Sequence, residues 1–209
     1  MGSKERVERL KASIHEHILD AAMCIVKSEG LQSLSIRKIA DIIEYSPPII
    51  YCYFLNKEAI LIELSKRGYE MLINHIERDL QSVSAPKQRL EVIVKAFLDF
   101  AIKEKELYQL MFEVGMGLED VRKVFPGLVI IINKFREEIQ QLAKGDTLNE
   151  EFILCKYFTF VSFIHGLVSV NFYFKDVDQA MNDKILKEAV EGMINSIDLV
   201  IKDQDDGML

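Results

Sequence analysis

Residues 35–57, SIRKIADIIEYSPPIIYCYFLNK, spell two short helices joined by a tight turn. A serine oxygen can accept an orphan backbone N–H of a first helical turn, so Ser35 is placed to cap the first helix and Ser46 the second. Ile36, Ile39, Ala40 and Ile43 recur at helical spacing and give the first helix one apolar face. Pro47 and Pro48 follow Ser46 directly. Proline lacks an N–H, and a first helical turn has no intrahelical use for one, so the pair sets a sharp start. Ile50 and Phe54 lie four apart and share the inward face. Pro47, Pro48, Ile49, Tyr51, Cys52 and Tyr53 then point elsewhere. Two short helices with this turn length suggest a helix-turn-helix, whose second helix enters the DNA major groove.

Outward from this core, Ile18 to Leu61 reads ILDAAMCIVKSEGLQSLSIRKIADIIEYSPPIIYCYFLNKEAIL. The stretch resembles the DNA-binding domain of the tetracycline-repressor (TetR) family of regulators. The landmarks are Ile18-Leu19-x-Ala21-Ala22, Gly30, Ile39-Ala40, Ser46, Tyr51-x-Tyr53-Phe54 and Lys57-Glu58. The resemblance covers about the first quarter of the chain and implies the rest only by architecture. It implies an all-α fold. A three-helix helix-turn-helix domain would occupy residues 1–57, and a helical ligand-binding and dimerisation domain residues 58–209. The family usually carries Ala-Gly-Val in the turn, with glycine in a left-handed conformation. Ile43, Glu44 and Tyr45 stand there instead. Glutamate is a poor choice for positive φ, so a turn of different shape is expected.

The same resemblance assigns DNA contacts. Lys57 matches a lysine that meets a phosphate, Tyr51 a phosphate-contacting tyrosine, and Tyr53 a nearby contact position. Arg37 matches a position from which a basic side chain reaches a base or phosphate, and arginine can fork onto guanine O6 and N7. Ser35 and Ser46 join the candidates at the two helix starts. Pro47, Pro48 and Ile49 offer no side-chain donors and suit contact with thymine methyl groups. For Arg37 and Lys38 the competing reading is simple solvation, and for Tyr51 packing on Phe54. Cys52 reads as a small residue rather than a redox sensor.

Composition agrees with helices throughout. The 209 residues include no tryptophan, four prolines and ten glycines. Net charge is −7, unevenly spread. Residues 1–57 carry eight Lys or Arg and seven Asp or Glu, net +1; the remainder is net −8. Only the front end can approach phosphates without strong repulsion. Cys24, Cys52 and Cys155 are far apart and odd in number, without zinc spacing. Cys24 and Cys155 sit among apolar residues and read as core positions. With no apolar leader after the first lysines, a reducing, cytoplasmic setting is expected.

Along the chain, a polar segment to about residue 8 precedes a helix to about Glu29. Leu10, Ile14, Ile18, Ala21, Ala22 and Ile25 form its expected stripe. Lys4, Arg6, Arg9 and Lys11 are either a phosphate-contacting arm or a solvated face. Gly30 reads as a left-handed stop. Asn56 caps a helix from Lys57 to about Ser82, with Ile60, Leu61, Leu64, Met71, Leu72 and Ile76 apolar. Pro86 begins another, with Leu90, Ile93, Val94, Phe97, Leu98 and Ala101 inward. A short helix, Glu106 to about Val114, ends at Gly115-x-Gly117. Pro126-Gly127 interrupts the next segment, Leu128 to Ala143 is helical, and Gly145-Asp146 is a break.

The resemblance implies that the last two long helices pair with their copies in a dimer, and Leu148–Phe174 and Met181–Lys202 are the natural candidates. Between Lys156 and Lys175 no formally charged residue occurs, and a helix apolar all round reads as a buried one. The run also touches the lower limit for a membrane span, but Thr159, Ser162, His165, Ser169 and Asn171 are costly in lipid. The last helix has a wide apolar face of Ile185, Ala189, Val190, Met193, Ile194, Ile197, Leu199 and Val200. Residues past Lys202 read as frayed.

No catalytic constellation is legible. His15 and His17 do not share a helix face, and P-loop, dinucleotide, GxSxG and HExxH patterns are absent. Neither a metal nor a cofactor is expected. The reading is a dimeric regulator, a repressor released from an inverted-repeat DNA operator by a small apolar effector. Its candidate pocket residues are Phe97, Phe100, Tyr108, Met111, Phe112, Phe158 and His165. The competing classes are a membrane-associated helical protein and an enzyme whose groups converge only in space.

Overall fold

Every regular element among the described residues is a helix. The computed structural model describes residues 2–113, 124–142, 148–174 and 177–206. In chain order the α-helices are α1 (Ser3–Glu29), α2 (Ile36–Ile42), α3 (Pro47–Tyr51), α4 (Lys57–Leu80), α5 (Pro86–Lys103), α6 (Lys105–Glu113), α7 (Pro126–Leu142), α8 (Glu150–Tyr173) and α9 (Gln179–Asp206). They divide into two compact units, Met1–Tyr69 with Glu104–Phe125, and Glu70–Lys103 with Pro126–Leu209. The first division falls inside α4.

The first unit is built on α1. Ile18, Leu19, Ala21, Ala22, Ile25 and Val26 are buried, together with Ile39 and Ala40 of α2 and Ile50 of α3. Each large side chain so buried is worth about 1.5–3 kcal/mol relative to exposure. Arg67 of α4 holds α1 by pairing with Asp20 at 2.8 Å and with Glu16, and Lys27 pairs with Glu104 just before α6. At Gly68 the backbone of α4 approaches α6 closely. A Cβ there would stand 2.6 Å from Met111 Sδ.

Several expectations for this unit change. The helix begins at Ser3, not near residue 8, because lysine, arginine and glutamate are good helix formers even without an apolar face. Side chains from Lys4 to Ser13 are all exposed, so Leu10 (60% exposed) does not belong to the buried stripe. Gly30 does stop the helix at positive φ, +84°, but with ψ 163° rather than a left-handed helical value. Cys24 is exposed, because apolar sequence neighbours do not specify a helix face.

In the second unit α5 packs on α7, α8 and α9. Eight of its residues are buried, including all six expected ones. Arg89 Nε donates to Glu138 Oε1 at 2.6 Å, tying α5 to α7, and a second nitrogen donates to the Val83 carbonyl at 3.0 Å. Asn171 and Asn182 exchange amide hydrogen bonds at 2.9 and 2.7 Å, linking α8 to α9. The helical run is broken at Phe125, and Pro126 and Gly127 open α7, where proline has no donor to lose. Met71 of α4 is exposed and Cys155 of α8 is exposed, against expectation. α9 continues as helix to Asp206, past Lys202.

α8 is not buried all round. It is long and apolar enough to cross a membrane, yet only 33% of its most apolar span is buried within the chain. Phe158, Val170 and Tyr173 (84% exposed) face outward. The neighbours α5, α7 and α9 cover one side of it and leave the other open. The expected breaks at Gly115-x-Gly117 and Gly145-Asp146, and the side chains of Leu199 and Val200, lie outside the described residues.

Candidate nucleic-acid interface

The candidate interface begins with the cap of α2. Ser35 accepts the Lys38 N–H at 3.3 Å, as the sequence leads one to expect. The helix ends in a Schellman motif. The Tyr45 N–H reaches the Ala40 carbonyl at 2.9 Å and the Glu44 N–H reaches Asp41 at 3.4 Å. This closure puts Glu44 at φ 58°, the single non-glycine residue at positive φ among the described residues. The expected change of turn shape is therefore corrected. The left-handed conformation is kept and glutamate bears it.

α3 starts at Pro47, and the side chain of Ser46, which precedes it at the cap position, makes no cap hydrogen bond. This also departs from expectation, for a reason written in the sequence. A cap oxygen bonds the N–H of the second or third helical residue. The second is Pro48, which has none, and the third, Ile49, donates to the Ser46 carbonyl at 3.0 Å. The exposed Ser46 hydroxyl thus takes no part in capping.

Behind α3, Ile50 and Phe54 are buried as expected, and His15 of α1 stacks on Phe54 with ring centroids 4.8 Å apart. In front, Tyr51 is 56% exposed, Pro48 and Cys52 are exposed, and Pro47, Ile49 and Tyr53 are half-buried. Arg37 is exposed on α2. Its neighbour Lys38 is engaged by Glu29 at 2.6 Å. Asn56 accepts the Ala59 N–H at 2.9 Å and so caps α4, leaving Lys57 half-exposed in the first turn. Asp41, Glu44 and Glu58 are exposed alongside, so the face is close to neutral. Of the nine residues expected to meet DNA, eight lie within or at the starts of α2, α3 and α4, and Tyr53 lies in the turn just after α3.

The expected pocket residues are divided between the two units. Tyr108, Met111 and Phe112 belong to the first unit, where Tyr108 and Phe112 are 4.9 Å apart and Tyr69 donates to the Met111 carbonyl at 3.4 Å. Burial pushes the Tyr69 hydroxyl up to about 12 and raises that of Tyr108. Tyr69 and Phe125 complete this cluster, 5.2 Å apart. The sequence does not single out Tyr69, because a tyrosine amid Lys66, Arg67 and Glu70 reads as surface. Phe97, Phe100, Phe158 and His165 belong to the second unit. Phe97 and Phe100 are buried, and Phe158 is exposed. Desolvation lowers the pKa of half-buried His165. Among the described residues no group of three or more His, Cys, Asp or Glu could hold a metal.

The family model for bacterial regulatory proteins of the tetR family matches residues 18–64. The chain is 28% identical over 96 residues to the HTH-type transcriptional activator FasR of Mycolicibacterium smegmatis, covering 46% of this chain and 44% of that one. It is 32% identical over 114 residues to the fatty acid metabolism regulator protein of Bacillus subtilis, covering 51% and 59%. The chain thus spans about half the length of these curated relatives. A solved structure from Rhodococcus sp. RHA1, of unknown function, shares the fold with TM-score 0.70 at 19% identity, over 87% of this chain and 94% of that one.

Proposed function

We propose that this chain, whose residues 18–64 belong to the tetR family of bacterial regulatory proteins, is a cytoplasmic, dimeric transcriptional regulator that binds an inverted-repeat operator in double-stranded DNA. The observation that carries the reading is the α2–α3 geometry. A capped α2, a Schellman turn and a proline-started α3 present Pro48, Ile49 and Tyr51 outward, between Arg37 and Lys57. A helix held this way can lie in the major groove while the flanking cations meet phosphates. Residues 1–57 form the DNA-binding domain in this reading, and 58–209 the ligand-binding and dimerisation domain.

The outward face of α8 supports the dimer. Phe158, Val170 and Tyr173 are exposed there beside the small residues Thr159, Ser162 and Gly166. At Gly166 an added Cβ would meet nothing within 4 Å. An exposed apolar face of this size is characteristic of an interaction surface, and a two-fold pairing of α8 and α9 would cover it. We assign the chain as a repressor whose effector is a small apolar molecule bound in the second domain. α4 contains no proline and is joined to α3 by a short link, so its displacement would carry to α3.

The test is selection of bound genomic fragments, followed by gel-shift and light scattering with the full chain. The reading expects an enriched inverted repeat and two chains per repeat. A well-folded monomer at micromolar concentration that enriches no fragment would overturn it.

A further inference from the structure

The first turn of α3 is poor in hydrogen-bond donors. Pro47 and Pro48 carry no N–H, and the Ile49 N–H is already given to the Ser46 carbonyl at 3.0 Å. The side chains of Pro47, Pro48 and Ile49 are hydrocarbon, and all three are at least partly exposed. The Ser46 hydroxyl bonds any base and discriminates none. Lys38, the second cation of α2, is held by Glu29 at 2.6 Å. A helix that enters a major groove with this turn forward has almost nothing to offer N7, O6, O4 or an exocyclic amine. It has apolar surface to offer the one apolar group on the groove floor, the C5-methyl of a pyrimidine.

Resting on the DNA-binding reading above, we propose that α3 selects its operator through C5-methyl groups packed against Pro48 and Ile49. Hydrogen-bonded readout is left to Arg37. The recognised chemistry is a methyl on C5, which thymine carries by nature and 5-methylcytosine carries by modification. The operator half-site is accordingly one that places thymine under α3.

The experiment uses the full chain and the operator enriched by selection. Each thymine of a half-site is replaced in turn by uracil, which removes the methyl and changes no hydrogen-bonding group. At one or two positions affinity falls about three- to five-fold, the loss of one buried methyl contact. At those positions a C·G pair binds weakly and a 5-methylcytosine·G pair recovers much of the loss. In Ile49→Ala or Pro48→Ala the uracil penalty shrinks at the matching position, while Arg37→Ala leaves it intact. Uracil tolerated at every position, with no rescue by 5-methylcytosine, overturns the proposal and leaves the DNA-binding reading standing. Failure to enrich any fragment overturns both. Because the uracil series is run on the unaltered protein, it does not depend on any variant folding.

Discussion

Replacing Glu44 with glycine should stabilise the first unit and tighten DNA binding, by two separable routes. At φ 58° a non-glycine residue bears about 1–2 kcal/mol of left-handed strain. Glycine removes it but adds unfolded-state freedom worth about 0.5–1 kcal/mol. The net expectation is about 0.5–1 kcal/mol in favour of Glu44→Gly, a rise in melting temperature of about 1–4 °C for a chain of this size. Glu44→Gln keeps the strain and loses the charge, so its stability should stay within about 0.5 kcal/mol of the parent. Glu44 is exposed beside the groove-facing helix, so both variants also remove repulsion from phosphates. Both should bind all DNA sequences more tightly, with the gain fading as salt rises. The assay is denaturation followed by circular dichroism, paired with gel-shift titrations at several salt concentrations. Equal stability in the glycine and glutamine variants, or a destabilised Glu44→Gly, would refute the left-handed turn. A gain in affinity confined to glycine would refute the charge argument.

Lys57→Ala should weaken binding to all sequences alike and lower the salt slope by about 0.9, one phosphate's worth; a change confined to one base position would count against its assignment. Val170→Glu should produce a folded monomer in light scattering, because Val170 is exposed on α8, and a persistent dimer would remove α8 from the interface. Val168 and Ile194 are buried within the second unit, so glutamate there should unfold it instead. Glu138→Gln leaves Arg89 without its anionic partner and should cost about 2–4 kcal/mol, somewhat below a fully buried pair because Arg89 is a quarter exposed; Arg89→Met with Glu138→Leu should recover most of it in a denaturation series. His165 has a lowered folded pKa, so the unfolded chain binds more protons as pH falls through 6.5. Stability should therefore decline below pH 6.5 until the folded pKa is reached, and His165→Phe should flatten that part of the profile.

What could be read from the chain alone was whatever depends on neighbours in sequence. Ser35 and Asn56 cap because their oxygens reach N–H groups three residues on. Pro86 starts a helix, and Leu90, Ile93, Val94, Phe97, Leu98 and Ala101 share a face, because helical periodicity fixes both. The helix-turn-helix and its family likeness follow from the same local rules. Ser46 shows where such rules compete: the prolines that announce α3 also remove the donor its cap would have met.

Tertiary structure decided whatever depends on what lies across from a helix. Periodicity marks an apolar arc but not whether anything covers it. Leu10 lies in that arc and is exposed, because α1 extends beyond the helices packed against its later turns. Cys24 and Cys155 fall outside the buried arcs despite apolar neighbours. α8 is apolar on all sides, so its sequence carries no phase, and only packing by α5, α7 and α9 selects the face that is buried. The backbone of Glu44 was decided by closure as well. Two hydrogen bonds at the end of α2 hold it at positive φ, and the energy of that closure outweighs a preference of about 1–2 kcal/mol that belongs to the residue alone.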